Sequence, residues 1–253
     1  MGTYIYCVGS AESFGPDGSA IESRGVGGAD VRVRTVEYGD LAAVVSDAQT
    51  TVPDVTRDNL MAHQRVIEES MRHADVLPVA FGTVAQDDRD VREKLLRREH
   101  DGLQDHLAYV RGRVELGLKV LWNRDRLFAE IADEREDIRR LRDMIAGRPP
   151  DSAYFERIQL GELTNAAIGD KRDRDAEEIL AELQPLAVDL QLNRLLTDLM
   201  VLNASFLVDR DRIEAFDAQV QRLGEIQAER LVFQYVGPLP PYSFVSINVS
   251  WEE

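Results

Sequence analysis

Four histidines, His63, His73, His100 and His106, and one cysteine, Cys7, are the side chains best suited to proton transfer, metal ligation or nucleophilic attack near neutral pH. None of the histidines opens the His-Glu-x-x-His pattern that sets two zinc ligands on one helix face with a general base between them. A single cysteine permits neither an intrachain disulfide nor a Cys-based zinc site, a usage that fits a reducing cytoplasm. Cys7 lies in a strand-like run with no local sign of a depressed thiol pKa, so it reads as inert packing. No lysine is followed by Ser or Thr, which removes the phosphate loop, and no Gly-x-Ser-x-Gly elbow occurs. Gly25-Val26-Gly27-Gly28 lacks the dinucleotide spacing and follows a loop, so its glycines read as a turn. The adjacent carboxylates Glu68-Glu69, Asp87-Asp88 and Glu177-Glu178 diverge by about 100° on a helix, toward solvent and not toward one substrate. The sequence therefore predicts no catalytic, cofactor-binding or metal-binding residue. His63 falls three residues after Leu60 and four before Ile67, on an apolar helix face, and reads as a core imidazole with a satisfied hydrogen bond. His100 and His106 read as surface residues.

Two stretches carry patterns fit for another protein. Leu127, Ile131, Ile138, Leu141 and Ile145 form a stripe in which the three isoleucines fall seven apart, the period of a coiled-coil seam. Arg135, Glu136, Arg139 and Arg140 surround it, with Glu136 and Arg140 a favourable i,i+4 pair. Such a stripe either packs internally as one side of a helical hairpin or forms an arm whose Leu127, Ile131, Ile138 and Leu141 grip a partner. Near the C-terminus, Leu239, Tyr242 and Phe244 accompany Pro238, Pro240 and Pro241. They read as a turn that closes the second domain's sheet, or as an exposed binding tail.

The elements that position these residues are α+β in pattern. Residues 3–8 form a first strand, a Gly-rich loop follows, and residues 31–45 make a hairpin around Tyr38-Gly39-Asp40. A helix after Pro53-Asp54 carries Leu60, Ile67, Met71 and Ala74 on one face; residues 76–84 form a buried strand; Asp87 or Asp88 caps a helix striped by Leu95, Leu96, Leu103, Leu107 and Val110. Gly112 marks a seam. Residues 114–122 alternate as a strand, and one long helix carries the Ile131–Ile138–Ile145 seam to Gly147. A second helix runs over about 152–184, stopping or kinking at Pro185. Its early portion has little apolar stripe, because of Gly161, Gly169 and the charged block 170–175, and Ile179, Leu183, Leu186 and Leu190 restore the period. Residues 199–208 form a strand, Asp211 and Glu214 are spaced as a capping pair, Ile213, Phe216, Val220 and Leu223 mark a helix face, and residues 231–236 and 243–249 supply two last strands. The domains expected are 1–112, an N-terminal α+β domain, and 113–253, with its long helices over about 125–196.

Composition bounds the partners. Over 253 residues, 46 acids outweigh 30 bases to give a net charge of −16, spread along the chain. That disfavours a phosphate-tracking nucleic-acid binder and docking on an anionic lipid membrane. Arginine outnumbers lysine 27 to 3, a bias that fits either high genomic G+C content or a salty cytosol. Glu12 and Asp17 interrupt the N-terminus before the first basic residue, so no signal peptide is expected. Residues 231–251 carry no charge, yet the proline cluster excludes a lipid-facing helix.

Several stretches, in order and over nearly the whole chain, resemble the gas vesicle protein F/L family. They are Tyr4-Ile5-Tyr6; Leu41-Ala42-Ala43-Val44-Val45-Ser46; His63 leading to Val76-Leu77-Pro78-Val79 and Phe81-Gly82-Thr83; Glu115-Leu116-Gly117-Leu118-Lys119-Val120 before Trp122; Leu202-Asn203-Ala204-Ser205-Phe206-Leu207-Val208; and Gly237-Pro238-Leu239-Pro240-Pro241-Tyr242-Ser243-Phe244. The resemblance implies two α+β domains, the second ferredoxin-like with an extended helical, coiled-coil-like insertion. It implies a minor accessory or structural protein of gas vesicles, the gas-filled shells used for buoyancy, located at the vesicle and in the cytoplasm. Its partners would be the hydrophobic major shell protein and other accessory proteins, bound in a chaperone-like or structural manner without a cofactor. The alternative from another class is a small-molecule-binding enzyme or sensor on a ferredoxin-like fold.

Overall fold

Strand β1 (Gly2–Ser10) is buried along nearly its whole length, and the rest of the first unit is built on both faces of its sheet. The computed structural model describes residues 2–28, 30–48, 52–245 and 247. β2 (Val33–Tyr38) and β3 (Leu41–Ala48) form the expected hairpin, and the two-residue turn needs a positive φ of 60° at Gly39. β3 pairs antiparallel with β1, with a register shift between Ile5 and Cys7. The order is β2-β3-β1-β4, where β4 is Val76–Pro78, and β5 (Val84–Ala85) also pairs with β1. The single strand expected over 76–84 is thus two short ones, parted by a turn in which Gly82 has φ 89°.

Alternation along the strands sends side chains to two cores. Tyr4, Tyr6, Cys7, Ala42 and Val44 meet Val66 and Ile67 of α1 (Arg57–His73) together with Phe14, Ile21 and Val26 from the Gly-rich loop. Thr56 caps α1, accepting from the Asn59 amide, and the buried face is Ala62, His63, Val66, Ile67 and Ser70; Leu60, expected on it, is turned to solvent. On the other side Ile5, Val8, Ala43 and Val45 meet Leu95, Leu96, Leu103, Leu107 and Val110, all from the segment where that stripe was expected. Asp87 caps it, and the chain runs from α2 (Asp88–Asp90) through a π-helical stretch (Val91–Arg97) into α3 (His100–Val110).

Gly25 shows how tightly the loop lies on the sheet. A Cβ there would sit 2.6 Å from the Tyr6 hydroxyl and 2.9 Å from Ser46 Oγ, while the adjacent Val26 amide donates to that hydroxyl at 2.7 Å. Gly25→Ala is therefore expected to destabilise by about 1–3 kcal/mol. Gly102→Ala, in α3 with open space around it, should stabilise by up to about 1 kcal/mol. Urea unfolding midpoints of the two variants check both signs.

The second unit, Leu116–Val236, takes in most of β6 (Arg113–Trp122), whose even-numbered positions are all buried as the alternation requires. α4 (Arg124–Glu134), capped by Asn123, and α5 (Glu136–Ile145) replace the one long helix expected; the backbone breaks at Arg135, at φ −116° and ψ 92°. α6 (Tyr154–Leu183) ends where Pro185 falls due. Leu186 and Leu190 do not continue it: Leu186 closes a short turn and Leu190 belongs to β7 (Asp189–Leu192), which interrupts the expected helical region. β8 (Met200–Asp209), α7 (Ile213–Ile226) and β9 (Leu231–Leu239) complete a β-α-β-β-α-β element order, with strands arranged β7-β8-β6-β9. No side chain caps α7, so the Asp211–Glu214 pair is not used.

Residues 237–245 group with the first unit, whereas the sequence pattern places them in the second domain. Val245 is buried in the α3-side core, and the Ser243 amide and hydroxyl each donate to the carboxylate of the buried Glu115, both at 2.7 Å. Residues 242–244 form a turn, so a strand does not begin at Ser243; residues 246, 248 and 249 of that expectation lie outside the described residues.

Candidate functional site

His63 is where the residues best suited to chemistry come closest together. It is 5% exposed, stacks on Tyr6 and meets Tyr4 and Phe81 edge-on. The Gly82 amide donates to the Tyr4 oxygen at 3.0 Å, and the Tyr4 hydroxyl shares a hydrogen bond with His63 Nδ1 at 2.9 Å. The Val79 backbone also bonds the ring, and burial outweighs it. Burial holds its pKa down to about 4 and raises that of Tyr4 and Tyr6, so the cluster keeps its protons where they are at neutral pH. This is the satisfied core histidine that its helical spacing predicts. Cys7 is wholly buried and its thiol is pushed up to about 12, far from a thiolate nucleophile. His100 lies at the surface as expected, Nε2 on Asp40 at 2.9 Å and Nδ1 on Asp101 at 3.3 Å. Among the described residues no group of three or more His, Cys, Asp or Glu is arranged to hold a metal ion, and no helix is long and apolar enough to cross a membrane.

A second polar cluster is ionic and buried in the second unit. Lys171 and Asp175 of α6 are 3% and 5% exposed. Lys171 Nζ meets Glu130 at 2.8 Å and Glu134 at 3.2 Å on α4; Arg230 bonds Glu130 at 2.8 Å and Asp175 at 3.0 Å; and Trp122 Nε1 donates to Asp175 at 2.6 Å. Burial alone would lower the Lys171 pKa, but Glu130, Asp175 and Glu134 outweigh it and hold the ammonium above its ordinary value. Arg174 pairs with Glu134 at 2.9 Å, so three cations face three carboxylates, and the cluster ties β6, α4, α6 and the residue before β9 together.

The structure separates the residues singled out as partner contacts. Leu127 and Ile131 of α4 and Ile138 and Leu141 of α5 are all buried, with α5 laid along α6, so the stripe takes the internal-hairpin arrangement. Leu239 and Phe244 are half-buried, and Tyr242 is exposed beside the buried Pro240 and Pro241. Exposed apolar side chains of this unit lie elsewhere: Phe128, Met144, Tyr154, Phe155 and Ile158 around the helices, and Val188, Leu192, Leu195, Leu196, Ile226, Val232 and Val236 outside them or at their ends. Tyr154 and Phe155 are 60% and 80% exposed, and their rings meet edge-on at 5.5 Å. An open depression of about 490 Å³ on α6 is lined by the apolar Phe128, Ile145, Leu160 and Ile168 together with Gly161 and the polar Arg157, Thr164 and Asn165. The missing apolar stripe of early α6 was the signal for this surface: a helix half without an inward face keeps its few large apolar residues outside.

The profile of the family described as gas vesicle synthesis protein GvpL/GvpF matches residues 2–246. Gas vesicle protein F of Streptomyces sp. (strain CB03234) is 35% identical over 246 residues, covering 97% of this chain and 100% of its own. Gas vesicle protein F1 of Halobacterium salinarum is 30% identical over 236 residues, covering 92% and 90%. The crystal structure of the gas vesicle protein GvpF from Anabaena sp. PCC7120 superposes with a TM-score of 0.85 over 98% of this chain and 99% of that one, at 24% identity, which shows a shared fold. With the profile spanning nearly its full length, the chain belongs to the gas vesicle synthesis protein GvpL/GvpF family.

Proposed function

We propose that this protein is an accessory protein of gas vesicle assembly that binds the hydrophobic major shell protein, and with it other gas vesicle accessory proteins. The reading rests on the family, and one observation gives it a physical basis: an acidic chain of net charge −16 holds an aromatic ridge, Tyr154 and Phe155, in open solvent. A shell subunit with large apolar surface aggregates unless that surface is covered, and a highly charged partner with an apolar face covers it while staying dispersed. The role is structural or chaperone-like and not catalytic, exercised at the vesicle and in the cytoplasm.

Apolar contact should then outweigh charge. Co-purified complex of the two proteins is expected to survive a wash at ~1 M salt, where ionic interactions are screened over ~3 Å and apolar burial is not. Loss of the complex in high salt alone would make the docking electrostatic. Absence of co-purification even at low salt would remove the reading.

A further inference from the structure

We propose that β9 is the contact edge of a dimer, pairing antiparallel with β9 of a second copy of this chain. The proposal stands apart from the assembly reading above and needs no other protein for its test. β9 ends the strand order of its sheet. The Asn123 amide donates to the Arg230 carbonyl at 2.7 Å, and a Cβ on Gly117 would lie 3.0 Å from Val236 Cγ1; both fix the same antiparallel register against β6. Antiparallel pairing alternates along a strand, so residues 230, 232, 234 and 236 face β6, while Phe233 and Tyr235 turn their N–H and C=O outward. The Leu231 amide also turns outward and is taken by the Gln227 carbonyl at 2.8 Å; no described residue does the same for the Phe233 and Tyr235 amides.

The other sheet edges carry devices that this one lacks. On β2 the Glu37 carbonyl, which faces away from β3, is taken by Arg92 Nε at 3.0 Å. β4 and β5 are three and two residues long. β7 has four, and the Asp189 carboxylate accepts from the Leu190 amide at 2.7 Å. β9 runs for nine residues without a charged side chain, in a chain of net charge −16, and leaves Val232 and Val236 51% and 54% exposed. Short strands, charges and side chains on the edge are how native sheets avoid pairing with other chains, and a long uncharged edge with exposed valines is a template for it.

The order of side chains along this edge selects the occupant. Val232-Phe233-Gln234-Tyr235-Val236 runs valine, aromatic, glutamine, aromatic, valine, the same in either direction. Two antiparallel copies related by a two-fold axis at Gln234 therefore match class for class, as an isologous contact requires. Phe233 exchanges N–H···O bonds with Tyr235 of the second copy, and Tyr235 with Phe233 of the second copy. Their rings lie on the face packed against α7, where Tyr235 already stacks on Phe216 at 6.1 Å. On the opposite face Val232 lies against Val236 of the second copy, and the two Gln234 side chains meet across the axis, in the closely spaced pairs that carry cross-strand side-chain contact. The two four-stranded sheets become one. Like net charges repel, so two copies of an acidic chain meet at an edge that adds no charge of its own.

The test uses the purified full-length chain alone. Sedimentation velocity between ~5 and ~500 µM should show a monomer–dimer shift, the range expected of a contact this small. Raising salt from ~0.1 to ~1 M should tighten the dimer, because screening weakens repulsion between acidic copies and leaves apolar burial intact. Val232→Lys/Val236→Lys sets like charges opposite one another and should weaken the dimer at least ~10-fold, whereas Val232→Lys/Val236→Glu sets opposite charges there and should stay within ~3-fold of wild type. Both positions are more than half exposed, so circular dichroism and thermal unfolding should show both double variants folded. Gln234→Cys lies on the axis, where Cα atoms ~4.5 Å apart permit a disulfide, and should cross-link under mild oxidation. Leu192→Cys, 61% exposed on the opposite edge of the sheet, should not, and the native Cys7 is buried and does not compete. A chain that is monomeric at every concentration, with Gln234→Cys no more cross-linked than Leu192→Cys, overturns the proposal. So does a dimer that Val232→Lys/Val236→Lys leaves intact, and loss of the dimer in both double variants overturns the two-fold at Gln234. Each of these results leaves shell binding, which is read by co-purification, standing.

Discussion

Asp175→Ala is expected to cost about 3–5 kcal/mol of unfolding free energy, the range for breaking a buried ion pair by removing one partner. The side chain accepts from Trp122 and Arg230 and lies 3.9 Å from Lys171, so its loss leaves an indole N–H without an acceptor and a buried excess of positive charge. Trp122→Phe removes the hydrogen bond and shrinks the buried ring over which Arg172 lies, and should cost about 1–3 kcal/mol. The instructive comparison is the double variant Lys171→Met/Asp175→Leu. It leaves Glu130 with Arg230 and Glu134 with Arg174, both pairs present in the native cluster, so no charge is stranded. The double change should therefore cost less than Asp175→Ala alone, a non-additivity that only charge coupling produces. Urea unfolding followed by far-ultraviolet circular dichroism compares all three variants with the wild type. A loss below ~1 kcal/mol at unchanged m-value would show that the cluster is solvated in practice and contributes little.

That cluster marks where sequence pattern and structure part. Alternation in β6 and the hairpin turn at Gly39 are local signals, each settled by side-chain period or by one backbone angle, and both elements stand where the pattern puts them. The face of α1 was legible too, apart from Leu60 at its edge. Residues 170–175, by contrast, form a charged block that weakens a helical stripe, yet Lys171 and Asp175 within it are among the most buried charges of the chain. Their partners Glu130, Glu134, Arg230 and Trp122 lie some 35 to 60 residues away, a separation no periodicity encodes. The break at Arg135 is hidden for a related reason: Ile131, Ile138 and Ile145 keep their seven-residue spacing across it, so the stripe is continuous although the helix is not. Val245 and Ser243 show the same limit at the C-terminus. A β-branched run after a proline turn predicts a strand, and the turn is held instead by one distant carboxylate, Glu115.

Acid should expose the His63 cluster. In the folded protein burial holds this imidazole at a pKa of about 4, while in the unfolded chain it returns to about 6.5. Between those values the unfolded state binds a proton that the folded state refuses, so stability falls as pH drops through the window and is fully present above 6.5. The complete loss amounts to about 3 kcal/mol, at about 1.4 kcal/mol per pH unit of separation. His100 runs the other way: Asp40 and Asp101 raise its pKa, so its contribution is present below the ordinary value and is lost only as pH rises through the raised one. The carboxylates held low by partners, Asp137 beside Arg135 and Asp40 beside His100, contribute stability above their ordinary pKa near 4 and lose it in still stronger acid. Glu69, held low by the Glu22 and Ser23 amides, and Glu130, held low by Arg230 and Lys171, start to contribute only near their ordinary 4.5, so the interval from 6.5 to about 5.5 belongs to His63. Unfolding free energies measured across it should slope downward toward acid in the wild type. His63→Gln, less stable throughout because it leaves the Tyr4 hydroxyl and the Val79 carbonyl to be re-partnered, should show a nearly flat line. A wild type that is flat over the interval, or a variant that keeps the full slope, would place the titrating group elsewhere and make His63 a protonated residue of the fold.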